Sequence, residues 1–84
     1  MLKIVARESA ETSSVLQLEG QIIGPWVDEL RRACDALLPT QRVTLDLTEV
    51  SFVERRGVEL LRALGARGVP LLHCSAFVAE QLKV

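Results

Sequence analysis

The adjacent residues His73 and Cys74 are the first candidates for chemistry, because a cysteine thiol next to a histidine base is a familiar catalytic nucleophile. They close the segment VPLLHC, which has the composition of a β-strand. Neighbouring side chains of a strand project to opposite faces, so these two cannot form a hydrogen-bonded dyad. The structural alternative is that one of the pair packs beneath a helix while the other is exposed near the strand end.

The carboxylates and the potential metal ligands of the sequence do not indicate a catalytic or metal site either. Asp28 and Glu29 are neighbours, but in the first turn of a predicted helix they favour the positive end of its dipole rather than paired acid and base work. Two cysteines and a single histidine cannot complete a four-ligand Cys/His zinc site. No GxxxxGK[ST] or GxGxxG phosphate loop occurs. We therefore expect a protein that is not an enzyme and that holds no metal and no cofactor.

The most informative stretch is LDLTEVSFVERRG, residues 45–57, in which a strand leads into a helix. Free backbone N–H groups and the positive dipole end make such a helix start a natural anion site. Arg55 and Arg56 stand there, although a cation at that end costs about 0.3–1 kcal/mol, so helix stability alone does not select them. Either they and the more distant Arg62 form a basic docking patch for an acidic surface or a phosphate, or they are exposed arginines tolerated beside neighbouring glutamates.

The composition indicates one small domain spanning residues 1–84. Of the 84 residues 49% are hydrophobic, and 10 basic residues nearly balance 11 acidic ones. This length buries enough surface for one core and too little for a second. Without a charge excess we expect no nucleic-acid binding, and without about 20 consecutive apolar residues we expect no membrane insertion. Since no export signal is visible either, we expect a cytoplasmic protein with free, buried thiols at Cys34 and Cys74.

Hydrophobic patterning predicts seven elements in the order β-β-α-β-α-β-α. Short apolar or alternating segments indicate strands, and apolar residues at helical spacing indicate helices. The strands are expected at residues 2–6, 14–20, 42–47 and 69–74, and the helices at 25–38, 55–66 and 76–82. Polar loops are expected at residues 7–13 and 48–54.

This order predicts an α/β fold with a mixed four-stranded sheet. Strand-helix-strand units require parallel neighbours and right-handed crossovers, whereas the short first loop makes the first strand antiparallel to the second. Pro70 cannot donate a ladder hydrogen bond, so the last strand is expected at an edge. Ser75 is a suitable N-cap for the last helix, whose Phe77, Val78 and Leu82 are expected to lie against the sheet.

The stretch at 45–57 resembles the signature of STAS domains, the anti-sigma factor antagonist family. In that signature a strand reading Leu-Asp-Leu-Ser leads through Val-x-Phe-Ile to Asp-Ser-Ser-Gly at the start of the second helix. The matching residues here are Leu45, Asp46, Leu47, Thr48, Val50, Phe52, Val53 and Gly57, with Leu18, Glu19 and Gly20 matching an upstream Leu-x-Gly turn. The resemblance extends from about Ser14 to Lys83 and implies a STAS-like fold with the element order given above.

The resemblance also implies a function and a departure from it. Members of the family are small non-enzymatic regulators that bind a kinase-like anti-sigma factor and are switched off when the second serine of the signature is phosphorylated. That serine falls on Arg56, the first serine on Arg55 and the aspartate on Glu54. Arginine has no hydroxyl, and its charge is opposite to that of a phosphoserine, so the usual switch is absent. Ile23 also stands where many members carry an aspartate.

Two functions agree with the resemblance. The first is a non-catalytic bacterial signalling module that docks a protein partner, a kinase-like anti-sigma factor or a transporter subunit, without phosphorylation control. Its expected partner-binding residues are Gln21, Ile23, Trp26, Glu54, Arg55, Arg56 and Gly57. The alternative is a nucleotide- or phosphate-binding subunit of a membrane transport assembly, in which Arg55 or Arg56 supplies the counter-charge. Trp26 is either a core anchor or an exposed contact beside the docking surface.

Overall fold

The computed structural model describes residues 1–83, which form four strands and three helices. In chain order these are β1 (Leu2–Ala10), β2 (Ser13–Ile22), α1 (Pro25–Leu37), β3 (Arg42–Val53), α2 (Arg55–Ala66), β4 (Leu71–Leu72) and α3 (Ala76–Leu82). The predicted element order is confirmed. Between residues 1 and 83 no helix has both the length and the apolar character needed to cross a membrane.

The four strands form one mixed sheet in the order β1-β2-β3-β4. β1 runs antiparallel to β2, whereas β2 pairs with β3 and β3 with β4 in parallel. This is the predicted topology. β4 lies at an edge, as expected from Pro70, and pairs with β3 only through Leu71 and Leu72.

The predicted lengths of β1, β2 and β4 are wrong. β1 continues to Ala10 and β2 begins at Ser13, so the expected loop at residues 7–13 is instead the end of a hairpin with a tight turn. Its side chains are polar because this part of β1 is exposed on both faces. β4 has two residues rather than the predicted six, because His73 adopts a left-handed conformation with φ of 60° that ends the strand.

β3 continues to Val53 instead of ending at Leu47, because two bulges change its phase. Its pairing with β2 shifts after Gln17 and again after Gly20, and β3 contributes one extra residue at each place. Leu47, Val50 and Val53 are therefore all buried although they are spaced by three residues. That spacing does not match the alternation of a regular strand, which is why the sequence predicts a loop here.

Asp46 stabilises the first bulge. Its Oδ1 accepts hydrogen bonds from the backbone N–H of Thr48, at 3.0 Å, and from the Thr48 hydroxyl. These bonds, together with a weaker contribution from the His73 ring, hold the pKa of the Asp46 carboxyl below its ordinary value. The acid and the hydroxyl of the Leu-Asp-Leu-Thr segment therefore have a structural role at the point where the strand gains a residue.

Replacing Asp46 by asparagine is expected to lower the free energy of unfolding by about 1 kcal/mol at neutral pH, since a neutral amide accepts weaker hydrogen bonds than a carboxylate. Because the folded pKa is depressed, the carboxylate stabilises the protein above the unfolded pKa of about 3.9, and this stabilisation is lost as the pH falls through the folded pKa. Urea denaturation across this range should show the two proteins converging in acid. A stability difference that is the same at every pH would contradict the assignment.

The helices cover one face of the sheet. Strands β2, β3 and β4 follow one another in one direction, so two right-handed crossovers place α1 and α2 on the same side. Along β2 and β3 the buried residues alternate with partly exposed ones such as Gln17 and Asp46, which belong to the uncovered face. The core residues of β2, β3, α1 and α2 are Leu16, Leu18, Ile22, Val27, Leu30, Cys34, Val43, Leu45, Leu47, Val50, Val53, Leu60, Leu61 and Leu64.

The two cysteines are free thiols, as predicted. Cys34 is buried on the inner face of α1, whereas Cys74 is partly buried and packs against the core. Burial raises the pKa of the Cys34 thiol to about 11, and a smaller contribution comes from the neighbouring Asp35 carboxylate. Both thiols are therefore protonated at neutral pH, since burial raises the pKa of Cys74 as well.

α3 covers the part of β3 that β4 leaves unpaired. The Gln81 side chain donates from Nε2 to the Val53 carbonyl oxygen at 2.6 Å, and its Oε1 accepts from the Val53 backbone N–H at 3.2 Å. One amide group thus satisfies both backbone groups, as a neighbouring strand would. This end of β3 is closed to pairing with another chain.

The start of α3 agrees with prediction except at Phe77. Ser75 caps the helix by accepting a hydrogen bond from the Val78 backbone N–H at 3.1 Å. Val78 is buried and Leu82 packs against the core, as expected. Phe77, predicted to lie against the sheet, is instead 57% exposed, because Val78 and Leu82 are four residues apart and set an inner face from which Phe77 is rotated by about 100°.

Candidate partner-docking site

The helices α1 and α2 start side by side at the carboxyl ends of β2 and β3. Ile22, the last residue of β2, pairs with Val53, the last residue of β3, and each strand is followed closely by a helix. Because the two strands are parallel, both strand-to-helix connections lie at the same end of the sheet. We call residues 20–26 and 52–57 the tip. It contains every residue that the sequence analysis expected to bind a partner.

Glu54 links the two halves of the tip. Its backbone N–H donates to the Ile22 carbonyl oxygen at 3.0 Å, and its Oε2 accepts from the Gly24 backbone N–H at 2.8 Å. The carboxylate thus binds the start of α1 instead of capping its own helix. Glu54 is therefore a positioning residue that fixes the loop before α1 against α2.

Gly57 allows α2 to begin close to the sheet. A Cβ at this position would lie 2.7 Å from Val53 Cγ1 and 3.0 Å from both the carbonyl oxygen and Cγ2 of Ile22. Gly57 is buried at the start of α2. Its contribution to the tip is to let the first turn of α2 approach the two strand ends.

The three arginines of the predicted basic patch have different partners. Arg56 Nη2 lies 3.2 Å from Oδ1 of Asp28 in the first turn of α1, which ties the two helix starts together. Arg62 Nε donates to the backbone carbonyl of the last residue of α3 at 3.1 Å. The Arg55 side chain is 93% exposed, with the Glu59 carboxylate 4.0 Å away. Arg55 is therefore the arginine best placed to meet another molecule.

Two of the three aromatic residues of the chain, Phe52 of the tip and Phe77 of α3, lie together on the surface. The ring centroids of Phe52 and Phe77 are 6.2 Å apart, and the residues are 38% and 57% exposed. Exposed aromatic side chains of this kind are typical anchors of protein interfaces. The sequence patterns do not predict this pair, although the four-residue spacing of Val78 and Leu82 is the feature that turns Phe77 outward.

The loop before α1 combines exposed and partly buried residues. Gln21 is exposed, whereas Ile23 and Trp26 are partly buried. Trp26 packs against the core, and its backbone N–H donates to the Ile23 carbonyl oxygen at 3.1 Å. This arrangement favours the interpretation of Trp26 as an anchor for the start of α1 over an exposed contact.

His73 and Cys74 have different surroundings. The exposed His73 directs Nδ1 toward Oδ1 of Asp46, at 3.3 Å, while Cys74 turns toward the core. This is the structural alternative expected from the sequence. In the part of the chain that the structure describes, no group of three or more His, Cys, Asp or Glu side chains is placed to hold a metal ion.

Two surface depressions lie away from the tip. One of about 360 Å³ opens on the uncovered sheet face between Arg7, Glu19 and Asp46. The other, of about 610 Å³, lies at the amino end of β3 beside Arg42 and Pro70. Neither depression is lined by a residue of the tip.

Comparison with solved structures identifies the fold. SpoIIAA, an anti-sigma factor antagonist in its unphosphorylated form, superposes with a TM-score of 0.69 at 18% identity, covering 93% of this chain and 79% of that one. The STAS domain of an antisigma-factor antagonist from Rhodobacter sphaeroides gives 0.66 at 19% identity over 86% of each chain. SpoIIAA of Bacillus in its phosphorylated form gives 0.68 at 16% identity, covering 93% and 78%.

These likenesses confirm the STAS-like fold expected from the signature at residues 45–57. The sequence itself matches no protein-family model and no curated protein. The mixed four-stranded sheet with three helices is therefore shared with the anti-sigma factor antagonists at identities below one fifth.

Proposed function

Starting from the STAS fold, we propose that this chain is a non-catalytic interaction module that docks a protein partner through its tip and lacks phosphorylation control. The observation that carries the proposal is the exposed Phe52–Phe77 pair together with the almost fully exposed Arg55, which follows Phe52 by three residues in the chain. Protein interfaces commonly combine an apolar centre with a charged rim, and this surface supplies both.

The partner is expected to present an apolar recess for the rings and a carboxylate for Arg55. No side chain within residues 1–83 caps α2, so the positive end of its dipole adds to the attraction for an acidic group. By analogy with the antagonists that share the fold, the partner is a kinase-like anti-sigma factor, with a subunit of a transport assembly as the second possibility.

In this proposal Arg56 is the reason why phosphorylation control is absent. It occupies the position of the phosphorylated serine in the STAS signature, and its guanidinium forms an ion pair with Asp28. A guanidinium paired with a carboxylate of α1 takes the place of a group that is modified. The module is therefore competent to bind at all times, and its activity is set by the supply of partner.

Affinity capture tests the proposal with two double variants of equal charge change. Arg55→Glu with Arg56→Glu alters the tip, and Arg42→Glu with Arg67→Glu alters the opposite end of the domain. All four side chains are exposed, so both variants are expected to remain folded. We expect the tip variant to recover at least tenfold less partner from a lysate of the source organism, a change of about 1.4 kcal/mol in binding free energy.

The identity of the captured protein decides between the partner classes. An ATP-binding, kinase-like protein supports a role in sigma-factor regulation, and transporter subunits support the second possibility. Incubating the complex with ATP should leave the mass of this chain unchanged, because residues 55 and 56 carry no hydroxyl. Equal recovery by the tip variant and the wild type at physiological salt would show that docking occurs elsewhere.

A further inference from the structure

The two edges of the sheet differ in how they are protected. At one edge β4 is only two residues long and follows Pro70, and beyond it the Gln81 amide occupies both backbone groups of Val53. Short edge strands, prolines and covering helices are the usual devices that stop a sheet from pairing with another chain. All three are present at this edge.

The opposite edge is formed by β1 and has none of these three devices, although it carries the charged residues Lys3, Arg7 and Glu8 and its pairing with β2 becomes irregular after Glu8. β1 is nine residues long and contains no proline. No other strand in residues 1–83 pairs with its outer side. Its side chains from Ala6 to Ala10 are exposed, so the helices leave room beside this strand. A long open edge of this kind is a template for pairing with another strand.

The hydrogen bonds of the hairpin define which groups of β1 are unpaired. The Met1 carbonyl oxygen accepts from the Gln21 backbone N–H at 2.9 Å, so odd-numbered residues direct their backbone groups toward β2. Pairing is regular from Leu2 to Glu8, which preserves this alternation along the segment. The residues that direct N–H and C=O outward are Leu2, Ile4, Ala6 and Glu8.

We propose that the outer edge of β1 pairs, antiparallel, with the same edge of a second copy of the chain. Residues whose backbone N–H and C=O point away from β2 must lie opposite residues of the same kind in the second copy. This condition allows a two-fold axis at Ile4, Val5 or Ala6, each with several backbone hydrogen bonds. An axis at Val5 would set Lys3 against Arg7 twice, which like-charge repulsion disfavours. Axes at Ile4 or Ala6 place no like charges of β1 directly opposite each other, so the edge can pair with itself without that repulsion.

The geometry of such a dimer follows from the alternation of side chains. The β1 residues whose backbone groups are unpaired have their side chains on the same sheet face as Leu16 and Leu18 of β2. This is the face that the helices cover. Residues opposite each other across a ladder lie on the same face, so both copies place their helices on one side. The result is a continuous sheet of eight strands, twice the four strands of one copy. All helices lie on one side of it, and the uncovered faces of the two copies form a single surface on the other side.

Sedimentation velocity of the purified protein tests this proposal without any partner. We expect the average mass to rise from 9.3 kDa toward twice that value as the protein concentration increases into the range of about 1 mM. Ala6→Pro removes an outward N–H that is used in both allowed registers, and it is expected to keep the protein monomeric. The matched control Ala6→Ser retains the N–H and should associate like the wild type.

The proline variant is expected to fold, because the lost N–H does not bond to β2 and proline is tolerated at such edge positions. An unchanged circular dichroism spectrum and urea midpoint verify this. A wild-type mass that stays at 9.3 kDa throughout overturns the proposal, as does a folded Ala6→Pro variant that still dimerises. Protection of the β1 amides from exchange only when a different protein is bound would assign the edge to that protein instead.

Discussion

Replacing Gly57 by valine is expected to lower the free energy of unfolding by more than about 3 kcal/mol. The new Cβ would lie 2.7 Å from Val53 Cγ1 and 3.0 Å from the Ile22 carbonyl oxygen, and a backbone atom cannot move aside as a flexible side chain can. Overpacking of a tight core costs about 1–3 kcal/mol even without such a backbone contact, and the branched side chain adds to this. A domain of this size has only several kcal/mol to lose.

Gly65→Val is the matched control for this experiment. Gly65 belongs to the same helix, and no atom lies within 4 Å of its ideal Cβ. Valine there should be neutral or slightly stabilising, since glycine is about 0.5 kcal/mol less favourable than valine inside a helix. Urea denaturation followed by Trp26 fluorescence compares the two variants. Equal midpoints would mean that α2 does not approach the strand ends as described.

Gly20→Ala is expected to cost about 2–4 kcal/mol, for two separate reasons. Gly20 has a φ of +111°, which L side chains rarely adopt, and a Cβ there would lie 2.4 Å from the Met1 carbonyl oxygen. That carbonyl accepts the Gln21 N–H, so the close contact disturbs the pairing of β1 with β2. Thermal and urea denaturation give the size of the loss.

A second glycine separates the two causes. Gly68 also has a positive φ, of +88°, but no atom lies within 4 Å of its ideal Cβ. Gly68→Ala therefore measures the backbone strain alone, at about 1–2 kcal/mol. The difference between the variants reports the contact with β1. If Gly68→Ala is as costly as Gly20→Ala, the approach of the first strand is looser than the structure indicates.

The topology of the sheet could be predicted because it follows from local patterns. The helical spacing from Val27 to Cys34 and the alternation from Val43 to Leu47 give the elements, and right-handed crossovers give their order. The second half of β3 could not be predicted in this way. Each bulge moves the inward position by one residue, so Val50 and Val53 follow neither the strand period nor a helix long enough to recognise.

The grouping of the expected partner-binding residues at one end of the sheet could also be predicted, whereas their contacts could not. Parallel strands bring residues 21–26 and 54–57 to one end of the sheet whatever their side chains do. The bonds from Glu54 to Gly24 and from Arg56 to Asp28 join residues about 30 positions apart, and they depend on how closely α1 and α2 approach. The exposure of Phe77 depends on the rotation of α3 about its axis.

The central position of β2 determines the order in which the sheet can assemble. β1 and β2 are joined by a tight turn, whereas Leu16 of β2 and Leu45 of β3 are separated in the chain by the whole of α1. Closing the long segment between β2 and β3 costs more chain entropy than closing the turn between β1 and β2, before any contact is gained. The hairpin is thus the earliest part of the sheet that can form, and its apolar side remains bare until the chain beyond α1 returns to cover it.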